Sequence, residues 1–240
     1  MAGLVLVFDL DLTLVDTSTI FQKKEDLDIH TVEQYMNRRL LDEVLKPAVE
    51  LKKDSTVSAI LLLSNNSFVE YVKFICGYLD YRLKRHNVFD VIVTRYGSEK
   101  VERAEPKENP PKRLLDVETM LKSIGKDTSN LAERVYFFDD LHHEIERELP
   151  KGDQYCLIKK WTMKGDTNDY TSVREAMGLN PMPDLALPSS VPLQSTDPAN
   201  RTVKKTSSMK RPSIVGVFSK GGKRTRKKRA SRRSRRNVKR

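Results

Sequence analysis

Asp9, Asp11 and Thr13 stand at alternate positions in LVLVFDLDLTLVDT, the stretch from Leu4 to Thr17. Apolar residues fill the gaps at Leu10, Leu12 and Leu14. The run before Asp9, LVLVF, has the length and β-branched content of a buried strand. A buried strand that ends in two carboxylates is costly unless a cation or hydrogen-bond donors meet them. A metal ion is the simplest such cation, and a turn built on Asp is the plainer alternative. A calcium loop numbered from Asp9 fails: it needs Gly at its sixth place and Glu at its twelfth, where Leu14 and Ile20 stand.

Two further apolar runs end in polar groups. Thr56 to Leu63 leads into Ser64, Asn65 and Asn66, and Arg134 to Phe138 leads into Asp139 and Asp140. Shorter strands are expected over 88–94 and 155–158. Helical spacing covers 31–53, interrupted at Pro47, and 67–85. It also covers 112–124, with Pro111 in the first turn, 141–149, and 170–177 before Gly178. Residues 16–28 and 95–111 read as irregular. This alternation specifies an α/β fold, a mostly parallel sheet with helices on both faces. Such sheets bind ligands beyond the carboxyl ends of their strands. Asp9, Ser64 and Asp139 should therefore meet at one edge.

The first stretch resembles the first motif of the haloacid dehalogenase-like (HAD) phosphatases, an apolar strand followed by Asp-x-Asp-x-Thr. DLDLTLVDT most resembles the form found in phosphatases of the RNA polymerase C-terminal domain. LLLS and VYFFDD resemble the second and fourth motifs. The resemblance implies a HAD-like, Rossmann-like fold. It implies Asp9 as a nucleophile that forms an aspartyl-phosphate and Asp11 as general acid and base. Thr13 would fix the loop, and Ser64 with the Asn65 N–H would bind the phosphoryl group. Ser64 also reads as an ordinary helix N-cap. A lysine would neutralise the phosphoryl group, with Lys112 the first choice and Lys107 the second. Mg²⁺ would be held by Asp9, the Asp11 carbonyl, Asp139 and Asp140.

Two decoys arise. Gly165 to Asp169 also fits a form of the fourth motif, but KKWTMK before it is a poor buried strand, so Asp166 is expected in a loop. His142, His143 and Glu144 are adjacent rather than one helical turn apart, which argues against a shared zinc. The gap after the first motif is mostly helical and the one after the third strand is a short Pro-rich loop. Little or no cap domain is therefore expected, and an open site admits a bulky substrate. The expected activity is a Mg²⁺-dependent phosphatase acting on a phosphorylated macromolecule such as a phosphoprotein. The alternatives are a nucleic-acid end (3′) phosphatase, or a non-catalytic nucleic-acid-binding or virion protein on the same fold.

The charge is unevenly spread over the 240 residues, whose net is +11. Residues 201–240 hold 18 of the 44 Lys and Arg and no Asp or Glu, so residues 1–200 carry 26 basic and 33 acidic side chains, a net of −7. Three parts follow: a phosphatase domain at 1–178, a Pro/Ser-rich linker at 179–200 and a disordered basic tail at 201–240. The tail should bind nucleic acid without reading its sequence. A nuclear localisation signal or an anionic membrane surface are the other readings. GGKRTRKKR resembles basic C-terminal tails of large DNA virus proteins, and Ser207, Ser208 and Ser213 are candidate kinase sites. Two cysteines, Cys76 and Cys156, are too few for a disulfide framework. With no signal peptide and no membrane-span-length apolar run, an intracellular protein of the host cytoplasm or nucleus, or a virion protein, is expected.

Overall fold

The computed structural model describes residues 2–23, 27–98, 101, 110–159 and 166–180. Lys107, the linker beyond residue 180 and the basic tail lie outside the described residues.

Five strands form one sheet: β1 (Leu4–Phe8), β2 (Val57–Leu63), β3 (Val91–Val93), β4 (Val135–Asp139) and β5 (Tyr155–Leu157). Every pairing is parallel and the order is β3-β2-β1-β4-β5. The helices interspersed between them are α1 (Thr17–Lys23), α2 (Ile29–Tyr35), α3 (Arg38–Leu40), α4 (Lys46–Leu51), α5 (Val69–Leu83), α6 (Leu114–Ser123), α7 (Leu131–Arg134), α8 (Ile145–Glu148) and α9 (Thr171–Ala176). No helix among the described residues is long and apolar enough to cross a membrane.

Alternate side chains of a strand point to opposite faces. Leu6, Phe8, Ile60 and Leu62 join one core with Leu40, Val44 and Leu45, with Val72 and Ile75 of α5, and with Val173 of α9. Val5, Val7, Ala59, Leu61 and Phe137 join a second core with Val117, Met120 and Leu121 of α6 and Ile145 of α8. Both faces of the central strands are covered, which is why their sequences are continuous apolar runs rather than alternating ones. Phe8 and Phe138, opposite each other in register, stack at 4.6 Å between centroids. The residues between β1 and β2 add Ile20, Val32 and Tyr35 to the first core. Among the described residues, that segment thickens the domain rather than forming a separate cap.

Several local expectations change. Residues 16–28 contain a helix: Asp16 caps α1 by accepting from the Thr19 N–H at 3.0 Å, the usual role of an acidic N-cap. The single helix expected over 31–53 breaks at Met36, and Asn37 restarts it by accepting from the Leu40 N–H at 3.1 Å. A π-helical turn, Leu41–Leu45, precedes Pro47. Proline has no N–H for the carbonyl four residues back. The Glu43 carbonyl takes a bond from the Arg174 guanidinium instead, at 2.9 Å. β3 is shorter than expected because Asp90 replaces a strand residue: its carboxylate accepts from the Ile60 N–H at 2.9 Å and from Lys52 at 2.6 Å. α6 starts at Leu114, so Pro111 and Lys112 lie in the lead-in to the helix rather than in its first turn. The helix expected over 141–149 shortens to α8.

Candidate functional site

Three adjacent strands deliver the polar groups to one edge. Asp9 directly follows β1, and its N–H donates to the Phe138 carbonyl at 2.9 Å. Ser64 directly follows β2, and its N–H donates to the Val93 carbonyl at 2.9 Å. Asp139 ends β4, and its carbonyl accepts from the Ile158 N–H at 2.7 Å. Each ladder thus runs one residue past the apolar stretch, so sheet register fixes where these side chains start.

Lys112 reaches this edge from the loop before α6. Its ammonium donates to Asp9 Oδ1 at 2.5 Å and to Asp139 Oδ2 at 2.6 Å, and the residue is 1 % exposed. Its backbone is held on both sides. The Lys112 N–H donates to His143 Nδ1 at 3.5 Å, and its carbonyl accepts from the Ile145 N–H at 3.0 Å. His143 Nε2 lies 3.4 Å from Asp139 Oδ2. Asn65 ties the loop after β2 to the same segment by donating to the Pro110 carbonyl at 3.1 Å.

Asp11 sits off the sheet on a tight turn. Leu12 adopts φ +61°, a left-handed conformation that costs a non-glycine residue on the order of 1 kcal/mol or more. The Asn66 amide donates to both Asp11 oxygens, at 3.1 and 3.0 Å. The Asn66 N–H donates to Ser64 Oγ at 3.0 Å. One asparagine therefore sets Asp11 beside Ser64. Thr13 is fully buried and anchors the turn through its carbonyl, which accepts from Asn37 at 3.2 Å; its hydroxyl has no partner among the described residues.

Burial is the largest influence on Asp9 and lifts its carboxyl well above the ordinary range; Lys112 opposes this, while Asp139 and Asp11 add to it. Burial also raises Asp11, against the amide of Asn66 and the nearby hydroxyls of Thr17 and Ser64. Burial and the charge of Asp139 push Asp140 up to about 6. Asp139 moves the other way: burial disfavours its charge, but Lys112 and His143 outweigh that and hold it below the ordinary value. For Lys112, burial is outweighed by Asp9 and Asp139, so it stays an ammonium.

Four carboxylates therefore share one buried ammonium. One oxygen from each of Asp9, Asp139 and Asp140 lies within 4.8 Å of the others. Oxygen donors with excess negative charge fit a hard divalent cation, and Asp9, Asp139 and Asp140 could hold one.

The decoys resolve locally. Asp166 accepts from the Tyr170 hydroxyl at 2.6 Å and the Asn168 N–H at 2.8 Å, and its carbonyl takes Arg39 at 2.9 Å, so it organises its own loop. His142 pairs with Glu146 at 2.7 Å, Glu144 pairs with Arg113 at 2.5 Å, and His143 turns inward to Asp139. Asn66 and His143 are the site residues that sequence reasoning did not assign. Asn66 stood in the Ser-Asn-Asn run after β2, which was the available signal; a lone inward histidine has none.

No protein-family model matches this chain, and no curated protein matches it.

Proposed function

We propose that this protein is a phosphomonoester hydrolase of the haloacid dehalogenase-like type, dependent on Mg²⁺ and working through an aspartyl-phosphate on Asp9. The observation that carries the reading is the buried Lys112 ammonium bridging Asp9 and Asp139 beside a second carboxylate, Asp11, that an asparagine holds against Ser64. In the first step an Asp9 oxygen attacks phosphorus and the bond from phosphorus to the alcohol oxygen breaks. Asp11, protonated, gives its proton to that oxygen, and the raised Asp11 carboxyl favours this acid form. In the second step water attacks the phosphorus of the Asp9 acyl phosphate and gives its proton to Asp11. The bond to Asp9 breaks, and phosphate leaves. Lys112 and the Ser64 hydroxyl meet the phosphoryl oxygens, and Lys112 keeps Asp9 oriented throughout. Bound at Asp9, Asp139 and Asp140, Mg²⁺ would offset the repulsion between Asp9 and a phosphate dianion.

The absence of a separate cap among the described residues supports a macromolecular substrate, a phosphoprotein before a small metabolite. Turnover of p-nitrophenyl phosphate, measured with Mg²⁺ and after chelation, tests the reading. Activity should vanish on chelation, return with Mg²⁺, and be absent from a folded Asp9→Asn protein. Normal turnover by Asp9→Asn would remove Asp9 from the nucleophile's role.

A further inference from the structure

Two phenyl rings lie bare on the Asp11 side of the site. Phe21 on α1 is 53 % exposed and Phe68, the residue before α5, is 66 % exposed. Their centroids are 6.3 Å apart with planes tilted by 41°. Tyr71 packs on Phe21 at 5.5 Å and is buried. A single exposed aromatic needs no explanation; a contiguous aromatic cluster beside a reactive group does.

The cluster is built into the acid's own support. The Asn66 amide nitrogen holds both oxygens of Asp11, and its Oδ1 accepts from the Phe68 N–H at 2.7 Å. A single side chain thus spans from the carboxylate to the backbone that carries the ring. Asp16 ends the Asp-x-Asp turn region and caps the helix that carries Phe21. Burial raises the Tyr71 hydroxyl, and the charges of Asp11 and Asp16 add to it, which places Tyr71 within their electrostatic reach. That hydroxyl is buried and has no hydrogen-bond partner among the described residues. A buried hydroxyl without a partner is costly, and a bound ligand or water would relieve it.

We infer that Phe21 and Phe68 form a platform for an aryl leaving group, and that the substrate of this site is a phosphotyrosyl side chain of a peptide or protein. The inference rests on the roles proposed for Asp9 and Asp11. In an aryl phosphate the ring begins at the oxygen that Asp11 protonates, so the ring and Asp11 must be neighbours. In a nucleotide a ribose intervenes and sets the base farther off. A phosphoseryl group presents no ring. Aromatic rings favour offset or tilted contacts with centroids about 4.5–7 Å apart, the spacing the cluster already has, so a third ring would extend it.

Two peptides that differ only in carrying phosphotyrosine or phosphoserine test this, with the wild-type chain and the Phe21→Ala, Phe68→Ala and double variants. The readout is the ratio of kcat/KM for the two peptides. The wild type should favour phosphotyrosine on the order of tenfold, and the double variant should bring the ratio close to one. Both rings are more than half exposed, so truncation should cost little stability, and thermal unfolding checks it. Should the alanine pair melt early, Phe21→Leu with Phe68→Leu keeps the apolar bulk without the aromatic face and should lower the same ratio. An unchanged ratio in a folded variant overturns the inference. So does a wild-type ratio of one or less, or preferred turnover of a nucleoside monophosphate; each of these leaves the hydrolase reading standing. Turnover of none of the esters would overturn that reading itself.

Discussion

Replacing Lys112 by Met keeps the length and apolar stem of the side chain and removes only the ammonium. That ammonium is bonded to two buried carboxylates, at 2.5 and 2.6 Å, with two more carboxylates nearby. Deleting one partner of a buried ion pair costs about 3–5 kcal/mol, because the remaining charge is left unpaired. For a domain of this size each kcal/mol moves the melting temperature by roughly 2–4 °C, so Lys112→Met should melt roughly 6–20 °C below wild type at pH 7. The sign of the pH dependence follows. Without the ammonium, Asp9 and Asp139 both bind protons more tightly in the folded chain than in the unfolded one. The penalty is then fully present above their folded pKa values and is relieved as pH falls through them. The gap between wild type and variant should narrow from pH 7 to pH 4. Thermal unfolding followed by circular dichroism in a chelator, at several pH values, measures it. A variant that melts within about 1 kcal/mol of wild type at pH 7, or a gap that widens in acid, would refute Lys112 as the counter-charge of this cluster.

Other outcomes follow from the same cluster. Lys112→Ala should cost far more activity than Lys107→Ala, measured as kcat on an aryl phosphate, because a cation at the phosphoryl group acts in the transition state. Asp11→Asn should still react once with p-nitrophenyl phosphate, whose leaving group needs no acid, and then stall. Mass spectrometry should find phosphate on Asp9, and steady turnover without an adduct would exclude Asp11 as the base. Asp140, pushed up to about 6, must lose its proton to bind a cation. Mg²⁺ affinity by calorimetry should thus be weaker at pH 5 than at pH 7, and equal affinities would take Asp140 out of the site. Deleting residues 201–240 removes 18 Lys and Arg. The full chain should bind DNA or RNA with an affinity that falls steeply with salt, and the truncated chain should not. Binding retained after truncation, in a filter assay at two salt concentrations, would place a basic surface on the body instead.

The parts of the fold that the sequence disclosed are those where one local pattern decides. β1, β2 and β4 are buried on both faces, so each reads as an apolar run, and each is followed by a polar group whose position at the sheet edge follows from parallel topology. Asp9, Ser64 and Asp139 were legible for that reason. What was not legible depends on partners distant in the chain. The π-helical turn before Pro47 is held by Arg174 on α9, and no window around Pro47 contains that arginine. The short β3 depends on Asp90 meeting Ile60 and Lys52. α1 was hidden because, among its described side chains, Ile20 is the one apolar residue that joins the core, so no helical period showed. Lys112 could be ranked above Lys107 by its place before a helix, but a lysine in a charged loop carries no mark of burial. His143 likewise becomes part of the site only when β4 and the lead-in to α6 come together.

The two carboxylates of the Asp-x-Asp turn are held in different ways, and the difference matches the work proposed for them. Asp9 is an extension of the central strand: its N–H joins the ladder of β4, and Lys112 pins its side chain from the other side. A nucleophile held so has little freedom, and a fixed attack geometry is worth a large part of a reaction barrier. Asp11 stands two residues farther, after the sheet has ended, on a turn that needs a left-handed Leu12. The Asn66 amide on the neighbouring loop holds both of its oxygens, and the hydroxyls of Thr17 and Ser64 lie close. A group that must give a proton in one step and take one in the next meets two different oxygens, the leaving alcohol and the attacking water. A carboxylate on a turn, steered by neighbouring side chains rather than fixed in a strand, can reach both where a strand-bound one could not. The motif's alternation thus does more than set two acids on one side of the chain. It puts one on the rigid sheet and the other just beyond it.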